Sequence, residues 1–313
     1  IVGCDWSSDV CSSDLISVTG PRLWSAEDPH LYDLSIEVLD AAGRLVEVVP
    51  QRVGLRRFGV EDGVLRINGE RIVFKGVNRH EFGARGRVMT RERTEADLIA
   101  LKRAGVNAVR TSHYPNNSFF YELCDELGLY VVDEANMESH GIWDVIVRGG
   151  ADVADAVPGD RPEWRGAVLD RARSMYERDK NHPCVLMWSC GNESFGGANI
   201  LAMAELLRSL DARPVHYEGV TRDARHPRTT DVASRMYTPA ARVEELLASQ
   251  RSQPLILCEY AHAMGNSLGA VDEYLDLAER EPLFQGGFIW DFADQAIALV
   301  RSEERRVGKE CRS

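Results

Sequence analysis

Between residues 32 and 38 the chain alternates. Tyr32, Leu34, Ile36 and Val38 fall on one side, Asp33, Ser35 and Glu37 on the other. That two-residue period predicts a half-buried β-strand. "AAGR" at 41–44 turns the chain into "LVEVV", and "EDG" at 61–63 and "NG" at 68–69 read as hairpin turns. Residues 16–70 therefore read as the C-terminal part of an immunoglobulin-like β-sandwich, with too few strands to complete one.

From residue 71 the pattern changes. Eight apolar runs follow: 71–77, 106–112, 129–135, 185–191, 215–220, 232–237, 255–260 and 286–292. Between them lie amphipathic stretches such as "TEADLIALKRAG", read as a helix with Thr94 as N-cap and Gly105 at its stop. Another helix starts just after Pro162. Alternation of this length predicts an α/β fold, a (β/α)8 TIM barrel over 71–300. A doubly wound open sheet is the alternative, but no glycine-rich phosphate loop supports it.

In such barrels the site lies at the C-terminal ends of the strands. Polar side chains gather after each run: Asn78, Arg79, His80 and Glu81; His113 and Tyr114; Asp133, Glu134, Asn136, Glu138 and His140; Asn192 and Glu193; Glu218; Tyr237; Glu259; Trp290 and Asp291. Glu193 and Glu259 both follow strongly apolar strands. Burying an ionised carboxylate costs several kcal/mol unless it is paired, so their placement needs a reason. A retaining glycosidase needs one protonated and one ionised carboxyl group; ordinary ion-paired rim acids fit the same pattern. Glu138 and His140, two apart in "ANMESHG", suit Mg²⁺ or Mn²⁺ by ligand type, yet a surface pair reads the same way. Trp290 at a strand end could stack on a sugar or belong to the core. Tyr237 is open in the same way, as a site phenol or a core one.

Composition narrows the partners. The 313 residues are 44% hydrophobic and 27% charged, with a net charge of -12, which argues against a nucleic-acid partner. No apolar run is long enough to span a membrane, and no signal-peptide pattern opens the chain. The ends stand apart. Back-translated, "CSSDL" at 11–15 is the complementary-strand reading of the DNA behind "RSEE" at 301–304. Residues 1–15 and 301–313 are thus expected to be non-native, adapter-like head and tail, and the native gene is expected to run past both. Between them the net charge is -11 and four cysteines remain, Cys124, Cys184, Cys190 and Cys258, in apolar contexts without CxxC spacing. They read as free thiols of a reducing compartment.

"SCGNES" (189–194) and "LCEYAHAMGNS" (257–267) resemble the acid/base and nucleophile motifs of the large bacterial β-galactosidases of glycoside hydrolase family 2. So do "GVNRHE" (76–81), "VRTSHYPN" (109–116), "VVDEANMESHG" (131–141), "MYTP" (236–239) and "QGGFIWDFADQ" (285–295). "LWSAEDPHLYDL" (23–34) looks like the sandwich that precedes the family's barrel. The resemblance spans about residues 16 to 300. It implies Glu193 as general acid/base, Glu259 as nucleophile, and Glu138, His140 and Glu193 as Mg²⁺ ligands. It implies Asn192, His80, His113, Tyr237, His262 and Trp290 as substrate contacts, with Tyr237 bonded to the nucleophile. It further implies hydrolysis of terminal β-D-galactosides such as lactose, a cytoplasmic setting, and a homo-oligomer with Na⁺ in the full-length enzyme, its ligands not assigned. A β-glucuronidase or β-mannosidase relative, or an inactive sugar-binding fragment, are the alternatives. Phe82 stands where the family often has histidine. With the eighth barrel helix and the flanking domains outside the chain, these 313 residues alone are expected to be weakly active or silent.

Overall fold

Eight parallel strands form one sheet, whose two end strands are Val215–His216 and Ala233–Met236. The computed structural model describes residues 17–263, 265, 268–301 and 304–308. The expected head, Cys4, Cys11, Cys311, most of the expected tail, and Met264, Asn266 and Ser267 of the nucleophile motif lie outside them. The strands are β1 (Tyr32–Leu39), β2 (Leu45–Val53), β3 (Phe58–Glu61), β4 (Val64–Ile67), β5 (Glu70–Arg71), β6 (Phe74–Arg79), β7 (Ala108–Arg110), β8 (Tyr130–Glu134), β9 (Val185–Ser189), β10 (Val215–His216), β11 (Ala233–Met236), β12 (Leu255–Tyr260), β13 (Phe284–Phe292), β14 (Ile297–Arg301) and β15 (Glu304–Gly308). Strands β6 to β13 make the nearly closed TIM barrel. The helices are α1 (Arg91–Arg103), α2 (Ser118–Leu127), α3 (His140–Val147), α4 (Arg165–Asp179), α5 (Ala198–Leu210), α6 (Ala240–Ser249) and α7 (Val271–Arg280).

Strands β8, β9 and β12 are buried along their whole length. This is why they read as continuous apolar runs rather than as alternation. Helix α1 starts one turn earlier than its sequence suggested: Thr90 is the N-cap, accepting from Arg93 N at 3.3 Å, while Thr94 is buried inside the first turns. Either threonine satisfies the capping rule, and tertiary burial decides between them. Gly105, at φ +79°, follows the helix end as expected. The fifth run also needs correcting. Only Val215 and His216 are strand; Glu218 opens a short 3-10 helix, Glu218–Thr221, instead of ending an extended segment.

Before the barrel, β1 and β2 form an antiparallel pair whose apolar face stays exposed, with Leu34, Ile36 and Val38 at 38%, 48% and 43%. The predicted alternation is present, but no described element covers that face. Strands β3, β4 and β5 make a small antiparallel sheet bound to the start of β13: Gln285 donates to Leu65 O at 2.9 Å and to Ile72 O at 2.8 Å, and accepts from Leu65 N at 2.7 Å. Trp24, fully buried, ties the preceding segment to the barrel by donating to Asp125 O at 2.9 Å. Strands β14 and β15 pair as a hairpin after the barrel.

The strand ends are held by backbone that tolerates no bulk. Gly191 sits at φ +136°, and a Cβ there would lie 2.3 Å from Met137 O. Met137 O accepts from Asn192 N at 2.8 Å, so this approach carries the loop holding Glu138 against the one holding Asn192 and Glu193. Gly191→Ala is expected to destabilise the fold by on the order of 1–3 kcal/mol. A lower melting temperature is the measurement that checks it, and an unchanged one would contradict the packing described.

Candidate active site

Arg110 ends β7 pointing into the barrel, fully buried. Its Nε donates to Glu134 Oε2 at 2.8 Å, Nη1 to Glu259 Oε1 at 2.9 Å and to Asn78 Oδ1 at 3.0 Å, and Nη2 to Asn192 Oδ1 at 3.0 Å. One guanidinium thus ties together side chains from β6, β8, β12 and the loop after β9. Its planar donor fork suits such a role better than a lysine would. Burial pushes the Glu134 carboxyl up, but Arg110 and then His113 outweigh it and hold the group at about 2.

Glu259 is 4% exposed. Besides Arg110, Tyr237 donates to its Oε2 at 2.7 Å, and His113 Nε2 stands 3.9 Å from Oε1. Both carboxylate oxygens are therefore held. Tyr237, at φ +47°, is fixed by its own N–H donating to Glu259 O at 2.8 Å. Beside the carboxylate, burial raises the Tyr237 phenol far above its ordinary range, and the Glu259 charge adds to the effect.

Glu193 has different surroundings. Its φ is +36°, its N–H donates to Glu218 Oε1 at 2.8 Å, and its Oε2 lies 2.9 Å from His140 Nδ1. Burial lifts its carboxyl above the usual carboxylate range; His140 pulls the other way, and Glu259 adds to the rise. Glu218 itself is fully enclosed, and burial pushes it up to about 7. Ligand atoms of Glu138, His140 and Glu193 lie within 4.8 Å of one another. Asn192 Nδ2 donates to Glu138 Oε1 at 3.2 Å, and His140 Nδ1 is 3.3 Å from the same oxygen. Two carboxylates and one imidazole this close are able to hold a hard divalent cation. His140 begins helix α3, so the extended loop expected around it ends there.

The aromatic wall is assembled as well. Trp290 stacks on His113, centroids 5.2 Å apart at 13°, and meets His80 edge-on at 5.5 Å. His80 is held neutral, burial bringing its pKa down to about 4 with His113 adding to the drop. Its Nδ1 is 3.3 Å from Tyr114 Oη. His262 lies across from Tyr237 at 5.9 Å between centroids. The ten residues singled out by sequence therefore fall into three connected groups: Glu259 with Tyr237, His113 and His262; Glu193 with Glu138, His140 and Asn192; and Trp290 with His80 and His113. Sequence reasoning gave no role to Arg110, Glu134, Ser189 or His216. The available signal was a cation at the end of an apolar strand, which demands a buried counter-charge.

These features meet the comparisons with known proteins. Residues 58–310 match the TIM barrel domain of glycosyl hydrolases family 2, and residues 7–56 match a further family 2 domain. The chain belongs to glycosyl hydrolases family 2. Among curated relatives, it is 51% identical over 297 residues to a β-galactosidase of Halalkalibacterium halodurans, covering 94% of this chain and 29% of that one. It is 52% identical over 278 residues to one from Clostridium acetobutylicum, covering 88% and 31%. The chain thus spans about a third of the length of these relatives. Solved structures of similar fold include a β-glucuronidase of Ruminococcus gnavus in complex with D-glucaro 1,5-lactone, at 21% identity and TM-score 0.74, covering 90% of this chain and 53% of that one. Another is a Bifidobacterium dentium β-glucuronidase, at 24% identity and TM-score 0.69, covering 90% and 50%. Among the described residues no helix is long and apolar enough to cross a membrane.

The Arg110–Glu134 pair has a pH signature. Glu134 titrates lower in the fold than in the unfolded chain, so its stabilisation is complete above about 4.5 and is lost as pH falls toward about 2. Glu134→Gln is expected to cost about 3–5 kcal/mol at pH 7, because it removes one of the two counter-charges of a buried guanidinium. The gap in melting temperature from the parent should narrow as pH falls below 4.5. A gap independent of pH would show that Glu134 is not the ionised partner.

Proposed function

We propose that the polypeptide carrying this chain is a retaining β-galactosidase that releases terminal β-D-galactose from lactose-type substrates by double displacement. The observation that carries the reading is the contrast between two carboxyl groups at the same end of the barrel, one in β12 and one in the loop after β9. Glu259 is enclosed, with both oxygens accepting from cationic or phenolic donors; Glu193 is the one whose surroundings favour the protonated form. The galactoside assignment rests on the names of the relatives at about 50% identity; the glucuronidases bear on the fold alone.

In the first displacement a Glu259 oxygen attacks the anomeric carbon. The bond to the aglycone oxygen breaks as that oxygen takes the proton of Glu193. Arg110 and Tyr237 hold the nucleophile's orientation before attack. In the second, the ionised Glu193 takes a proton from water, whose oxygen attacks the anomeric carbon and frees Glu259. Asn192, His80, His113 and His262 are assigned to sugar hydroxyls, and Trp290 to the apolar face of the ring. Glu138, His140 and Glu193 would hold Mg²⁺ or Mn²⁺, which when bound supplies positive charge beside the acid/base. No residue is assigned to Na⁺. The four cysteines among the described residues, all buried and free, fit a cytoplasmic protein, and the complete enzyme is expected to be a homo-oligomer.

Nitrophenyl galactoside, glucuronide and mannoside, each assayed on the complete enzyme with and without chelator, test the reading. Galactoside is expected to be preferred, and chelation to lower turnover about 10-fold or more, restored by Mg²⁺. Glu193→Gln should lose about 10²–10⁴-fold on substrates with poor leaving groups. Glu259→Gly should be inactive until azide restores turnover, giving the α-galactosyl azide. Preference for glucuronide would overturn the substrate assignment, and chelator-insensitive turnover the metal.

A further inference from the structure

Beneath the site runs a chain of buried polar side chains that the chemistry above does not use. The barrel's strand order ends at β10 and β11, which share no backbone ladder. That seam is bridged by Asp231 N donating to Val215 O at 2.8 Å and by His216 Nε2, 2.9 Å from Ser234 Oγ. His216 is fully buried; its Nδ1 is 3.0 Å from Ser189 Oγ, and Ser189 Oγ is 2.7 Å from Glu134 Oε2. With Arg110, Asn78 and Glu259 the network draws a side chain from seven of the eight barrel strands.

Hydrogen accounting gives this chain a direction. Glu134 is ionised against Arg110 and can only accept, so Ser189 gives it its single hydroxyl hydrogen. Ser189 Oγ can then only accept from the ring, which places the imidazole proton on Nδ1. A second proton on Nε2 would put an imidazolium in a fully buried site near Arg110; burial indeed holds His216 down to about 3, with Arg110 adding to the drop. Nε2 is therefore bare and accepts from Ser234. Every donor in the row points toward Glu134.

We propose that His216 is a positioning residue for the nucleophile: protonated at Nδ1, it orders the Ser234–His216–Ser189–Glu134 chain that holds Arg110 against Glu259. The proposal rests on the glycosidase reading of Glu259, and on the tautomer independently of substrate. Reorienting Glu134 moves Arg110, and with it one of the two groups that aim the Glu259 carboxylate.

The test uses the complete enzyme and whichever nitrophenyl glycoside the parent turns over fastest, so that a wrong substrate assignment does not affect it. His216→Phe fills the space without hydrogen bonds and is expected to lower kcat about 10–100-fold with little change in KM. Ser189→Ala, which removes only one oxygen, should do the same, and the double variant should be no worse than either single one. His216→Asn, with its amide nitrogen near the Nδ1 position, should recover much of the rate, while His216→Gln, reaching toward Ser234 instead, should not. Independently, nitrogen-15 spectra of histidine-labelled enzyme should lose the signal of a neutral Nδ1–H ring in His216→Phe. Multiplicative losses in the double variant, equal activity of the Asn and Gln variants, or loss of an Nε2–H ring in His216→Phe would each overturn the proposal.

Discussion

Arg110 carries its charge in a place that water does not reach, and the upper half of the barrel is arranged around that fact. A buried cation is tolerable only when its charge and its donors are met. Here Nε, Nη1 and Nη2 reach acceptors from four other parts of the barrel. Glu134 supplies the permanent counter-charge. Glu259 supplies a second one, and this second charge is the nucleophile of the proposed reaction. The same guanidinium therefore fixes the barrel's interior geometry and orients the carboxylate of the proposed nucleophile.

The two carboxyl groups differ because the backbone delivers them differently. Glu259 lies within β12, so its side chain inherits the strand's rigidity and depth. Glu193 lies four residues beyond β9 at a positive φ, a conformation that costs a non-glycine residue about 1–3 kcal/mol. Its N–H bond to Glu218 and the Asn192 bond to Met137 offset part of that cost. The result is a more accessible carboxyl group beside His140 and Glu138, suited to exchanging protons, and an enclosed one suited to attack.

Much of this was legible in the sequence, for physical reasons that vary by element. Strands buried on both faces must be continuously apolar, so β8, β9 and β12 were visible as runs. Side chains at strand ends must converge once the barrel closes, so Glu193, Glu259, Tyr237 and Trp290 could be named together. Arg110 could not be given a role, because its partners lie 24 to 149 residues away and only closure brings them together. The fifth strand was drawn too long because "VHYEGV" is apolar enough to extend, while burial of Glu218 against the Glu193 loop favours a 3-10 turn. At α1, Thr94 was read as the cap, but it is buried within the helix and Thr90 caps instead. The alternation in β1 was read as a half-buried strand, yet every residue from Asp33 to Leu39 is exposed, because sequence periodicity carries no information on what covers a face.

The claim on which the account turns is that Glu259, held by Arg110 and Tyr237, forms a covalent bond to the sugar. A 2-deoxy-2-fluoro galactoside with a good leaving group would slow release of that intermediate. Peptide mass spectrometry of the labelled enzyme would then locate the sugar. The account predicts one fluorogalactosyl group, esterified to Glu259 in the peptide containing Leu255–Tyr260. A label on Glu193 or another carboxylate, or turnover with inversion and no label at all, would contradict it.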